Sequence, residues 1–371
     1  MKQLAAAAVL VAGLGISSQP LASTATQVAG GDHWLYIGTY RRNIQIFDEV
    51  TGHRVGEIKL ATGIPRNLIL SQNRSKFYVL DESFEHVEIV DIAKRQSVDT
   101  FTLSEGNKHA RIRRRGGLQV DPLERFLILA IGTATKLRDR WDVSEVALQV
   151  YDLKERRITR TIPWPGNEPR ENMTMRFSPD GKLLYFFGDD VSILETVNFT
   201  VVERWPLTRP LDAGYSRLAL GSVDDTNDEP GFFSGIFTVT DPVQKRRIMG
   251  LGRVDLVARN FKFTPIGPPV DLTFAMSPDR KRGYGLLQDI GRYEFWVFDM
   301  ARQSLLRRME FAGRPRMGLR VSSNNKRLYI YVAGATIDVY DAETLSYVRT
   351  IEMDADQTTS LFVLPKPAGS N

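Results

Sequence analysis

Apolar and polar residues alternate along most of this chain with the two-residue period of half-buried strands, and one version of the alternation returns seven times. Each copy has Ile or Val, one further residue, an acid, and then an apolar residue ten positions after the acid. The copies are Ile46-Phe47-Asp48 to Ile58, Ile89-Val90-Asp91 to Phe101, Val150-Tyr151-Asp152 to Ile162 and Ile193-Leu194-Glu195 to Trp205. Val239-Thr240-Asp241 to Leu251, Val297-Phe298-Asp299 to Met309 and Val339-Tyr340-Asp341 to Ile351 complete the set. Successive acids lie 43, 61, 43, 46, 58 and 42 residues apart, the length of one four-stranded sheet unit with occasional insertions.

Within a copy, the Ile or Val belongs to a strand with one buried face. The acid then opens a tight turn, where a short carboxylate accepts from the next backbone N–H groups. A second strand follows, as in Tyr347-Val348-Arg349-Thr350-Ile351, giving a hairpin of the third and outermost strands. The inner half of the unit shows as a Ser followed seven residues later by Tyr: Ser71 to Tyr78, Ser178 to Tyr185, Ser277 to Tyr284 and Ser322 to Tyr329. Turn residues such as Pro179-Asp180-Gly181-Lys182 lie between them, and Asp121-Pro122-Leu123-Glu124-Arg125 is the degenerate form. The first copy lacks an innermost strand, since Trp34 to Ile37 already reads as a second strand. Ser360 to Leu364 supplies it from the other end of the chain. The pattern predicts an all-β, seven-bladed β-propeller of four-stranded antiparallel blades, closed by pairing the C-terminal strand with the N-terminal blade, which removes a free sheet edge.

The order Ser-Pro-Asp-Gly-Lys, Tyr, then Val-Tyr-Asp resembles the YVTN-repeat propellers, which are similar to the propeller subunit of quinohemoprotein amine dehydrogenases. The resemblance spans roughly residues 33 to 365 at the level of the repeat. Where that family has Tyr-Val-Thr-Asn, this chain has Tyr36-Ile37-Gly38-Thr39, Tyr78-Val79-Leu80-Asp81 and Tyr185-Phe186-Phe187-Gly188. The opening Tyr36 to Tyr40 is also similar to the start of the lactonase propellers. In the amine dehydrogenases the quinone belongs to another chain, so the resemblance implies no cofactor here.

Residues 1–25 read as an export signal: Lys2, an apolar run from Leu4 to Ile16, and the small residues Ser23-Thr24-Ala25. A linker over 26–32, the propeller over 33–367 and a tail over 368–371 complete the expected organisation. The mature chain is expected in the periplasm or secreted, with no membrane span. The absence of cysteine excludes disulfides, thiolate metal sites and cysteine nucleophiles. Net charge is only +5, yet Arg supplies 36 of the 49 basic residues, and Arg is the side chain suited to forked contacts with carboxylate or phosphate.

The placement of Arg gives the candidate site. Junctions between one blade's outermost strand and the next blade's innermost read Gly63-Ile64-Pro65-Arg66, Arg113-Arg114-Arg115-Gly116, Glu168-Pro169-Arg170, Tyr215-Ser216-Arg217 and Arg314-Pro315-Arg316. In a closed ring these guanidinium groups border one mouth of the channel and favour an anion. The plainer alternative is that each packs over its own blade junction. Thr133 to Glu145, with Arg140 and Trp141, is a charged insertion on the same face, suited to a partner or packed on itself. Val254 to Asp271, with Phe261 and Phe263, is an expected lid or spacer. The basic run from Lys108 to Arg115 is an expected loop and lacks the interleaved aromatics of a nucleic-acid platform, so no nucleic acid is expected. The acidic run from Asp224 to Glu229 offers oxygen ligands without calcium-loop spacing and reads as a solvated turn on the opposite face, so no metal is expected. Of the four histidines, His86 and His109 lie near the candidate face, while His33 and His53 read as structural. No nucleophile elbow, phosphate loop or dinucleotide fingerprint is present.

These readings converge on a non-enzymatic binding propeller that holds a protein partner or a small anionic ligand over Arg66, Arg113, Arg170, Arg217, Arg316, Arg140 and Trp141, as a monomer or a subunit of a complex. The alternative is an enzyme: a lactonase-like hydrolase, or the propeller subunit of a quinoprotein dehydrogenase.

Overall fold

The computed structural model describes residues 31–166, 174–188, 190–207, 216–224, 226–241, 243–331 and 334–367. The expected signal over residues 1–25, most of the linker and the tail lie outside the described residues. Every regular element among the described residues is a strand, and none of them is a helix able to cross a membrane.

Seven antiparallel sheets form the ring. Blade one spans 34–59 and takes its innermost strand, Phe362–Leu364, from the C-terminus, with Trp34 opposite Leu364 and Tyr36 opposite Phe362. Blades two to seven span 65–102, 108–162, 174–205, 216–267, 272–310 and 318–352. The innermost strands surround a channel. One face, called the upper face here, carries the junctions between blades and the turns joining second to third strands. The lower face carries the other two turns of each blade.

The hydrophobic interior is seven cores, one between each pair of neighbouring blades. Ile44, Ile46 and Phe77 join blades one and two. Tyr78, Leu80 and Leu127 join two and three, while Ile128, Leu148 and Phe186 join three and four. Tyr185, Phe233 and Phe237 follow, then Met249, Phe274 and Phe298, then Tyr284, Leu319 and Ile330. Leu35, Phe47 and Tyr329 close the ring between blades seven and one. This division explains the period-two pattern with both phases apolar: each central strand buries both faces, one against each neighbouring sheet.

The acids do open turns. Asp91 Oδ1 accepts from Lys94 N at 2.9 Å and Asp341 Oδ1 from Thr344 N at 2.8 Å. The backbone N–H of Lys94 holds the Asp91 carboxyl below its ordinary value. Four residues after the acid, each turn passes through the left-handed region, at Gly52, Arg95, Arg156, Phe199, Lys245, Gln303 and Leu345. Only one of these is glycine, so the turn geometry is imposed by the ladders on either side.

Blade five corrects the expected phase. Asp241 ends its second strand, Phe232–Asp241, and not its third. The acid equivalent to the other six is Asp255, at the end of Arg246–Asp255. Both make the same turn: Asp241 Oδ1 accepts from Val243 N at 2.9 Å and Asp255 Oδ1 from Val257 N at 3.0 Å. An acid after an alternating run signals a hairpin without saying which hairpin of the blade it is.

The expected lid over 254–271 is likewise overturned. Asn260–Gly267 is the outermost strand of blade five, and Phe261 is buried in the core between blades four and five. The basic run also differs from the expected loop. Lys108–Ile112 is a strand paired with the upper half of Phe126–Lys136 in blade three. The insertion over 133–145 is largely ladder too: Phe126–Lys136 overruns the blade, and Trp141–Val143 folds back on it with Lys136 opposite Trp141.

Candidate functional site

Chain topology puts the described candidate arginines on the upper face. Arg66 is the second residue of the inner strand Pro65–Leu70 and is half-buried. Arg113 lies five residues before its blade's inner strand, Leu118–Val120, and is exposed. Arg316, exposed and left-handed at φ 62°, lies two residues before Gly318–Val321. Arg217 is the second residue of the strand Ser216–Asp224, with its side chain outside the description, and Arg170 falls outside the described residues. The arginines thus share a face without sharing a depth.

Their surroundings separate them from most arginines of the molecule. Arg125 is forked onto Asp121 at 2.8 Å, Arg308 and Arg292 both bind Glu294, and Arg156 meets Asp99 at 2.6 Å. Arg66, Arg113, Arg114, Arg115 and Arg316 make no side-chain hydrogen bond or ion pair among the described residues. A junction arginine kept only for packing would be expected to find a carboxylate or carbonyl. These five leave their donors to solvent.

Arg113 and Arg114 border an upper-face cavity of about 530 Å³ between blades two and three. Its floor is apolar, with Phe84, Ile112 and Val146, and Glu82 and His109 stand at its edge. Below it, Glu85 accepts from Ser104 Oγ at 2.7 Å, Arg111 Nε at 3.1 Å and His109 Nδ1 at 3.2 Å. Burial alone would raise Glu85, but these hydrogen bonds outweigh it and hold the carboxyl below its ordinary value. The Trp141 ring lies 5.6 Å from that of His109 and is half exposed, so the hairpin is anchored while one aromatic face stays free. The Arg140 side chain, beside it, meets the exposed Asp139 at 3.4 Å.

Ser83, Asp81 and His86 also come together here, without the geometry of a nucleophilic relay. Ser83 Oγ and His86 Nδ1 both bond Asp81 Oδ2, at 2.6 and 3.0 Å. Ser83 Oγ meets the same imidazole nitrogen at 3.5 Å, whereas a relay needs the serine on one nitrogen and the acid on the other. Asp81 Oδ1 accepts from the backbone N–H of both Glu85 and His86 and so forms the turn.

The acidic turn of blade five lies on the lower face, as its sequence suggested, but Asp224 and Asp228 are buried in it and not solvated as expected. Asp224 Oδ2 accepts from Met276 N at 2.9 Å, and Asp228 is buried with Ser234 Oγ at 2.8 Å. Burial raises the Asp228 carboxyl. No group of metal-ligating side chains occurs among the described residues.

Sequence reasoning missed the channel wall. A cavity of about 600 Å³ runs along the axis, lined by inner-strand residues that include Asn67, Gln119, Arg176 and Arg320. Arg176 lies over Phe233 at 5.6 Å, and Arg320 Nε donates to Leu361 O at 3.0 Å. The signal was available: Gln119, Arg176 and Arg320 each stand two residues before the residue that opens the lower turn.

No protein-family model and no curated protein matches the sequence. Solved structures do. A functionally unknown protein from Desulfotomaculum acetoxidans superposes with a TM-score of 0.56 at 13% identity, over 90% of this chain and 99% of that one. AztD from Citrobacter koseri gives 0.51 at 14%, over 91% and 99%. The dihydro-heme d1 dehydrogenase NirN, solved in complex with DHE, gives 0.52 at 13%, over 89% and 75%. The likeness is one of fold. At these identities, proteins that share a propeller share no chemistry by that fact alone.

Proposed function

We propose that this chain is an exported binding propeller, a divergent relative of the YVTN-repeat proteins, whose upper face holds an anionic ligand or the acidic segment of a protein partner. One observation carries the reading: Arg66, Arg113, Arg114, Arg115 and Arg316 gather on one face with their guanidinium groups unspent. Fixed positive charge beside an apolar floor favours a carboxylate or phosphate, and the half-exposed Trp141 adds a partner contact at the edge. Arg217 and Arg170 would extend the same set. Export rests on residues 1–25. Binding is preferred to catalysis because Ser83, Asp81 and His86 converge on a turn and leave no nucleophile with a free base beside it.

The test is calorimetric titration of the mature protein with citrate and with a hexaglutamate peptide, in low and high salt. Saturable binding that weakens with salt and falls at least tenfold in the Arg66→Ala, Arg113→Ala, Arg316→Ala triple variant is the expected result. Undiminished affinity in that variant, or acid release from a lactone panel by the wild type, would overturn the reading.

A further inference from the structure

On the lower face, neighbouring blades lock through a tyrosine and a basic residue. In blade two, the Tyr78 hydroxyl donates to Glu124 Oε2 at 3.4 Å, and Lys76 is ion-paired with the same oxygen. Glu124 reaches across from blade three, at the left-handed position (φ 54°) of its first-to-second-strand turn. Across the closing seam, Tyr329 finds a carboxylate in the same way, donating to Glu49 at 3.0 Å.

Blade six presents the same pair without the acid. Arg282 and Tyr284 follow Ser277 by five and seven residues, as Lys76 and Tyr78 follow Ser71. The position of Glu124 is taken in blade seven by Asn325 (φ 63°), whose Oδ1 accepts from Asp279 N at 3.2 Å. Tyr284 is 4% exposed, and its hydroxyl has no hydrogen-bond partner among the described residues. Where the carboxylate would stand there is one end of a lower-face cavity of about 1260 Å³ that runs on to Asp228 and Arg253 of blade five. Its wall is apolar at Val297, Met300 and Leu306 and basic at Arg282 and Lys326.

Three observations separate this place from an ordinary surface cleft. The Tyr36 hydroxyl, also without a partner, is sealed from solvent, so nothing can reach it, whereas Tyr284 borders the cavity. Burial raises the Tyr284 hydroxyl above the usual phenol range and keeps it a donor. Four of the five acids on the cavity lining are committed elsewhere, Asp279 to Lys281 N, Asp299 to Arg302 N, Asp341 to Thr344 N and Asp228 to Ser234 Oγ, and the fifth, Glu343, is exposed at the outer turn of blade seven. Asp299 also holds Arg282 Nη1 at 3.3 Å, leaving the other donors of that guanidinium fork.

We propose that the end of this cavity between blades six and seven binds a small-molecule carboxylate with an apolar body, its head group taking the place that Glu124 fills between blades two and three. The lobes of the site match such a ligand: a buried hydroxyl and a cation for the head, methyl and methylene groups for the body. This site is on the face opposite the arginine cluster and does not depend on it.

The experiment is calorimetric titration of the mature protein with octanoate and phenylacetate, against the neutral octanamide and phenylacetamide. The acids should bind and the amides should not. Tyr284→Phe should weaken acid binding about tenfold or more, as loss of a hydrogen bond to a charged acceptor does. Asn325→Glu supplies the missing carboxylate from the protein, so it should abolish binding and raise the melting temperature. That second variant adds a contact, so it tests the proposal even if Tyr284→Phe folds poorly. Equal binding of acid and amide, no binding of either acid at millimolar concentration, or full affinity retained in Asn325→Glu would overturn the proposal.

Discussion

Glu49 offers the sharpest test of how the ring is held shut. It is fully buried, and its carboxylate joins the first and last blades. Oε2 accepts from His33 N at 3.0 Å and Ser323 Oγ at 2.6 Å; Oε1 accepts from Ser323 N at 2.8 Å and Tyr329 Oη at 3.0 Å. In Glu49→Gln the amide nitrogen must replace one oxygen. At Oε2 it faces the His33 N–H, and at Oε1 it faces the Ser323 N–H. The hydroxyls of Ser323 and Tyr329 can rotate to accept, but a backbone N–H cannot. Either way one buried donor is stranded, at about 1–3 kcal/mol. Glu49→Ala strands both backbone donors and leaves a cavity, at about 3–5 kcal/mol. With an unfolding entropy near 2.1 cal/mol/K per residue, each kcal/mol moves the Tm of a ring this size by roughly 1–2 °C. Scanning calorimetry at neutral pH should therefore show Gln below wild type by about 1–4 °C and Ala by about 4–7 °C. Hydrogen exchange should quicken first in Phe362–Leu364. Both variants melting within about 1 °C of wild type, or Gln falling further than Ala, would refute the argument.

Two further outcomes follow from side chains already described. Burial opposes ionisation of Glu294, but hydrogen bonds from Arg308, Arg292 and Trp296 prevail and lower its carboxyl. Its stabilising contribution is therefore complete above the unfolded value of about 4.3 and is lost as pH falls through the lower folded value. Glu294→Gln should flatten the fall of Tm below about pH 4.3, and an unchanged acid limb would contradict this. Trp141 is half exposed, whereas Trp34, Trp205 and Trp296 are buried and Trp164 is half-buried. Trp141→Phe should remove most of the iodide-quenchable emission, and in wild type iodide should quench more than caesium because of the neighbouring cations. Equal quenching by the two ions would deny the positive field at that hairpin.

Much of the ring is local chemistry and could be read along the chain. Alternation, the acid opening each outer turn and the Ser-to-Tyr spacing of each inner turn arise from contacts within a few residues of one another. Even the closure was legible, because a first unit lacking a strand and a last strand lacking a unit complete each other. The errors fell where local chemistry is degenerate. Asp241 and Asp255 cap the same kind of turn, so the pattern in blade five could not say which hairpin it marked. Asn260–Gly267 and Lys108–Ile112 became strands because a neighbouring ladder was long enough to pair them.

The sequence by itself determined the number of blades and the way the ring closes, since those depend on period and connectivity. Only the tertiary structure decided which cations are spent and which are free. Arg156 and Arg113 both lie in connections between strands, and the difference between them is Asp99, a carboxylate of the neighbouring blade that folding brings to Arg156. The same holds for Tyr78 and Tyr284, alike in spacing and strand, one meeting Glu124 and the other an open cavity. Partners in a ring come from the next blade, some 40 residues or more away, and no local pattern records whether the neighbour supplies an acid or leaves a space.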